Sequence, residues 1–177
     1  MSPHRDRLPG ARVVVRGREP ASDRHTRMSA AGSMGAMQTV LVPVDGSPSA
    51  QRAVEWIGQV LGRQTGAHVH LVNVQPAIDA WEVASHLGAG EIAQWQAATA
   101  AGVLDPAAKR LLAAGITVTT HARVGDVATT IAGCTRDLQC DAIVMGARGL
   151  GAVQSLLLGS TALKVVHLAD VPVTLIK

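Results

Sequence analysis

Ala142-Ile-Val-Met-Gly-Ala-Arg-Gly-Leu-Gly-Ala-Val-Gln-Ser-Leu-Leu-Leu-Gly-Ser-Thr161 is the stretch from which the rest of the chain can be read. Its apolar opening, Ala142-Ile-Val144, has the composition of a parallel strand buried on both faces. Gly146 and Gly149 follow with two residues between them, and Gly159 and Ser160 come after nine more. Glycines in the turn after a strand let the backbone approach a ligand with no Cβ in the way. A small hydroxyl residue opening the next helix leaves free N–H groups and a positive dipole end where a phosphate can sit. The stretch reads as a phosphate cradle split into two glycine-rich pieces.

Two commoner cradles do not fit. A Walker A loop needs G-x4-G-K-(S/T), with the lysine reaching the terminal phosphates, and no lysine follows a glycine at that spacing. A dinucleotide fingerprint needs G-x-G-x-x-G after the first strand and an acid about 20 residues on. Gly149-Leu-Gly151 is a fragment of it near the wrong end of the chain.

Outward from this stretch, apolar runs alternate with helical patterns from residue 38 onward. Strands are expected at Thr39–Val44, Ala67–Val74, Ile116–Ala122, Asp141–Met145 and Val171–Ile176. Helices fill the gaps. One runs from Ser49 to about Gly62 with Ala53, Val54, Ile57 and Leu61 on one stripe. A long one spans Glu91 to Ala113 and is expected to break near Asp105-Pro106. A third is capped by Asp126 and reaches Leu138, and the last covers Ser160–Ala169. Strand and helix in alternation, closed by a strand, predict an open five-stranded parallel α/β sheet with helices on both faces. Ligands of such sheets bind beyond the strands' carboxyl ends, where the strand order reverses. Strands one and four must be neighbours for their loops to share a ligand, so the predicted order is 3-2-1-4-5.

The first strand ends in Val42-Pro-Val-Asp-Gly-Ser-Pro-Ser49. Asp45 stands where a carboxylate can accept hydrogen bonds from a ribose or take a phosphate-bound metal such as Mg²⁺. Ser47 and Ser49 read as helix caps.

The chain has 177 residues, with 47% apolar content, no Phe, no Tyr and three Trp. Its core must therefore be Val, Leu, Ile and Ala. Scarce aromatics argue against single-stranded nucleic acid, which is held on stacking platforms. The net charge of +3 is uneven. Seven arginines and three acids lie in residues 1–37. Residues 38–177 keep nine of the 16 Lys/Arg and ten of the 13 Asp/Glu. The folded part has no charge excess for a polyanion partner. Residues 1–37 are read as a disordered basic leader, with Val13-Val-Val15 its one apolar run. Met28, Met34 and Met37 stand just before the first strand as alternative translation starts. No apolar run approaches the roughly 20 residues that span a bilayer. Cys134 and Cys140 are not a C-x-x-C pair and read as structural thiols of a reducing compartment, which implies a cytoplasmic protein.

Residues 38–177 resemble the universal stress proteins of the ATP-binding type. The resemblance rests on Gly146-x2-Gly149-x9-Gly159-Ser160, the opening Val42-Pro-Val-Asp45 turn and the closing Pro-Val-x-Leu-Ile run. It implies a Rossmann-like fold of the adenine nucleotide alpha hydrolase kind. By the same resemblance Gly146, Arg148 and Gly149 form one half of a phosphate site, and Gly159, Ser160 and Thr161 the other. Val74 packs on adenine, and Pro43 and Val44 touch the base through their backbone. The implied ligand is ATP, with Mg²⁺ at Asp45, and the implied role is a nucleotide-dependent stress-response regulator or sensor in the cytoplasm. A homodimer through residues 171–176 is implied as well, those residues being an apolar edge with open backbone groups. Alternatives are a slow ATPase or nucleotidyl-transferring enzyme of the same sheet, and a binder of another adenine nucleotide such as a cyclic one. Residues 77–90, with Trp81 and His86, fall where members of this family vary.

Catalytic chemistry is scarce. His68 and His70 share a strand face as a candidate metal pair without a third ligand in view, and His121 and His167 stand alone. No G-x-S-x-G elbow occurs, and Asp45 alone does not supply the base and metal carboxylates of phosphoryl transfer. The sequence describes a binder better than a catalyst.

Overall fold

The computed structural model describes residues 11–14, 38–77, 89–150 and 158–177. Their elements are β1 (Ala11–Val14), β2 (Thr39–Pro43), α1 (Pro48–Leu61), β3 (His68–Gln75) and α2 (Ala89–Ala113). These are followed by β4 (Thr117–Val124), α3 (Val127–Asp137), β5 (Ala142–Gly146), α4 (Ser160–Leu168) and β6 (Val173–Ile176). The sheet order is β1-β6-β5-β2-β3-β4. From β2 to β6 all neighbours are parallel, so the five strands from residue 39 stand in the predicted order 3-2-1-4-5. Most of the segment 77–90 lies outside the described residues.

The sheet separates two cores. Val40, Val42, Val69 and Leu71 pack under α1 and α2, with Ile57, Leu61, Leu104 and Leu111. Leu41, Val72, Ile143 and Leu175 pack under α3 and α4, with Ile131 and Val165. Strand side chains alternate between faces, so the apolar runs of β2, β3 and β5 supply both layers at once. The α1 stripe is buried as expected at Ala53, Val54, Ile57 and Leu61. Cys134 and Cys140 are free and buried. Burial pushes both thiols up, Cys140 to about 11, so neither is a reactive thiolate near neutral pH.

Two expectations are corrected. The long helix does not break at Asp105-Pro106, because α2 runs through Pro106 as one element. An internal proline costs about 3 kcal/mol or more. Burial of Ala100 and Leu104 before it and Leu111 after it offsets that cost by holding both halves on the sheet.

The second correction concerns the leader, expected to be disordered throughout. Ala11–Val14 forms an antiparallel strand on β6, with Ala11 opposite Ile176 and Val14 opposite Val173. An apolar edge with unpaired backbone groups favours any extended segment that reaches it, and the valines of the leader are strong strand formers. The edge expected to pair with a second copy is thus taken by the chain's own residues. Among the described residues, no helix is long and apolar enough to cross a membrane.

Candidate functional site

A cleft of about 390 Å³ opens at the carboxyl end of the sheet, where β2 and β5 diverge toward their helices. Its size lies within the usual range for small-molecule sites. Pro43, Val44, Asp45, Val74, Gly146, Arg148, Gly149, Gly159, Ser160 and Thr161 all line it, so one cleft brings together every residue expected there.

Local sequence explains how it is built. After β2, Asp45 Oδ1 accepts the Ser47 N–H at 2.9 Å. Gly46 sits at φ +84°, which favours glycine. This tight turn places the other carboxylate oxygen against the loop that follows β5: Asp45 Oδ2 lies 2.9 Å from where a Cβ on Gly149 would stand. Ser47 caps α1 by accepting the Ala50 N–H at 3.2 Å, and Pro48 follows it at the first turn, where a missing N–H costs nothing.

The glycines serve different ends. A Cβ on Gly146 would meet Ser49 Oγ at 2.6 Å, the Ser49 carbonyl carbon at 2.7 Å and Ala50 N at 2.8 Å. Backbone cannot yield that far, so Gly146 lets α1 seat directly on β5. Gly149 and Gly159 open the floor of the cleft. The two pieces of the cradle are joined by backbone, Gly159 N–H donating to Ala147 O at 2.8 Å. Helix α4 starts at Gly159 with no side-chain cap, so its first N–H groups and positive dipole end face the cleft open. Among the described residues, the Arg148 guanidinium has neither a hydrogen-bond nor an ion-pair partner.

The apolar side chains of Val72, Val74, Val127, Ile131 and Met145 line the same cleft. Of these, sequence alone points only to Val74. Val127 and Ile131 stand four apart on α3 just after its Asp126 cap, so they share one face of the helix. The position of that cap beyond a strand's carboxyl end was the available signal. At Val44 the N–H donates to Val72 O at 2.9 Å and the carbonyl accepts Asn73 Nδ2 at 2.8 Å, so the N–H is already engaged, and the side chain packs in the core under α1 and α2.

The histidine pair of the sequence is a cluster of three. His70 Nδ1 lies 3.0 Å from His121 Nε2, and His68 Nε2 lies 2.9 Å from Thr119 Oγ1. The register sets His121 beside Val72 and Thr119 beside His70 across β3 and β4. Among the described residues, no group of three His, Cys, Asp or Glu side chains has a metal-holding arrangement. Burial lowers the pKa of His70, aided by the charges of His68 and His121. Burial also lowers that of His121, aided by Arg123 and His68.

Residues 37–177 match the model of the universal stress protein family. The chain belongs to that family. A universal stress protein from Mycolicibacterium smegmatis is 27% identical over 142 residues, covering 77% of this chain and 47% of the relative, so the chain spans about half the length of that curated relative. The universal stress protein UspA from Lactobacillus plantarum superposes with a TM-score of 0.64 at 25% identity, covering 80% of this chain and 98% of that one. Three further structures share the fold and hold nucleotides. One is an Arabidopsis thaliana family member with AMP (21% identity, TM-score 0.59, 79% of this chain and 91% of that one). Another is a universal stress protein from Archaeoglobus fulgidus with dAMP (23%, 0.57, 80% and 98%), and the third is one with cAMP (24%, 0.55, 79% and 96%).

Proposed function

We propose that this universal stress protein binds an adenine nucleotide in the cleft, with ATP as the preferred ligand, and acts in the cytoplasm as a nucleotide-dependent regulator or sensor. The observation that carries the reading is one cleft lined by the uncapped start of α4, by glycines and by apolar side chains. Phosphates would lie on the N–H groups of Gly149, Ser160 and Thr161 with Arg148 at hand, and adenine between Val74, Val127 and Ile131. Asp45 would take a ribose hydroxyl or a phosphate-bound Mg²⁺, which would neutralise charge there. Support also comes from the AMP, dAMP and cAMP held by structures of the same fold.

Binding without turnover is the proposed mode. Asp45 is the one carboxylate among the described residues lining the cleft, and no histidine lines it. ATP hydrolysis should run far below the typical enzyme rate of about 10 per second. A monophosphate or cyclic nucleotide is the second reading, favoured by the single guanidinium in the phosphate half and by those three complexes. Titration calorimetry with Mg-ATP, AMP, cAMP and adenosine tests both. Tightest binding of Mg-ATP supports the first, tightest binding of AMP or cAMP the second, and binding of none overturns the function. Hydrolysis near the typical rate, abolished by Asp45→Asn, would establish an enzyme instead.

A further inference from the structure

Sequence allows either Ser47 or Ser49 to cap α1. Ser47 performs that task, and the Ser49 hydroxyl turns elsewhere. It donates to the backbone carbonyl of Arg148, which Ser47 Oγ also approaches at 3.3 Å. The two hydroxyls are themselves 3.3 Å apart, and both side chains are buried. Two serines at the start of α1 thus hold one carbonyl oxygen of the phosphate loop.

That carbonyl belongs to the peptide joining Arg148 to Gly149. In a trans peptide C=O and N–H point in opposite directions. With the oxygen drawn toward α1, the Gly149 N–H points away from α1 and toward the other half of the cradle. Gly149 N indeed lies 3.7 Å from where a Cβ on Gly159 would stand. The opposite peptide orientation would aim a carbonyl lone pair at the phosphate and remove a donor. Glycine at 149 tolerates either conformation, so the choice falls to the serine hydroxyls.

We infer that Ser49 is a positioning residue of the nucleotide site: its hydroxyl locks the Arg148–Gly149 peptide so that the Gly149 N–H is presented to phosphate. The inference rests on the proposed nucleotide function; Ser49 itself does not line the cleft and would act on phosphate affinity through the loop it holds.

The test is the ratio of adenosine to AMP dissociation constants, measured by calorimetry for the full chain and for Ser49→Ala. A hydrogen bond to a charged group is strong enough that losing one lowers affinity about tenfold. The variant should therefore bind adenosine within about twofold of wild type but AMP about tenfold more weakly, so the ratio collapses. Ile57→Val, deep in α1 and away from the cleft, controls for a weakened helix: it should lower the melting temperature and leave the ratio intact. Equal losses for adenosine and AMP in Ser49→Ala, or an unchanged ratio, would overturn the inference. A wild-type chain that binds neither compound would overturn the nucleotide function and this inference together, whereas wild-type AMP binding with an unmoved ratio removes the inference alone.

Discussion

The part of the cleft built from the end of β5, the loop after it and the start of α4 carries the glycines and an uncapped helix start. The part built from β3 and α3 meets the cleft through apolar side chains, which Met145 of β5 joins. On the first side glycines expose amides and α4 begins without a cap. On the second side Val72, Val74, Val127 and Ile131 form a wall, and α3 begins with a carboxylate, Asp126 Oδ1 accepting the Thr129 N–H at 2.9 Å. A helix start closed by a carboxylate has its dipole already answered and repels a second anion. Under the proposed function the contrast would put phosphate on the first side and base on the second. It also separates the free energies, since backbone donors recognise charge whereas apolar area recognises a flat ring with little specificity.

The strongest way to break the division is to close α4 as α3 is closed. Gly159→Asp supplies a capping carboxylate where phosphate would sit. Loss of two charge-assisted hydrogen bonds and the dipole should weaken AMP and ATP about a hundredfold, with adenosine little changed. Gly149→Val drives a side chain against Asp45 Oδ2 and should cost at least about tenfold. Calorimetry on the three ligands decides. Adenosine weakened as much as AMP would mean the two sides do not act separately.

The first side is largely legible in the sequence and the second is not. Glycines at fixed offsets after a strand rarely serve any end but a close backbone approach, so Gly146, Gly149, Gly159 and Ser160 can be placed from residue order alone. Valine is ordinary in any core. Val127 and Ile131 become recognisable only once the sheet has set α3 beside β3, and His121 joins His70 only through the β3–β4 register. Ser49 eludes the sequence for a related reason: residue order shows that a hydroxyl lies near a helix start, but not which of two serines caps it. The leader strand escapes because four residues carry almost no periodic signal. Their pairing depends on the distant edge they meet.

That edge offers the next test, on the outer border of the phosphate side. A strand tethered to its own sheet acts at an effective concentration of up to about millimolar, so Ala11–Val14 should outcompete a second copy for β6 at micromolar protein. Removing residues 1–37 should then shift the chain from monomer to dimer through Val173–Ile176, with AMP affinity unchanged. Light scattering at tens of micromolar reads the outcome. A full-length chain already dimeric, with Thr174→Pro restoring the monomer, would show that the leader strand does not guard the edge.

A smaller effect should mark the base side alone. His70 and His121 have folded-state pKa values below the ordinary value of about 6.5. The unfolded chain therefore takes up protons first as pH falls. Stability is fully present above about pH 6.5 and declines below it, until pH passes the lowered folded values. The melting temperature should drop by about 2–4 °C for each kcal/mol lost between pH 7 and 5, and His121→Gln should flatten that slope. A slope unchanged by the substitution would place the proton uptake elsewhere.

The finest test returns to the capped helix. Asp126 is exposed, and hydrogen bonds from Thr129 hold its carboxyl below the usual range, so it is ionised at neutral pH. Asp126→Ser keeps a capping oxygen but removes the charge, leaving the start of α3 electrically more like the start of α4. If phosphate lies on the far side of the cleft, the lost repulsion acts across solvent and is screened over a Debye length of about 8–10 Å. AMP affinity should then rise by no more than about twofold at physiological salt, and the gain should fade as salt is added. Adenosine, which carries no charge, should bind the variant as it binds wild type. A tenfold rise would instead bring the phosphate up to α3, and the assignment of charge to one side and base to the other would have to be reversed.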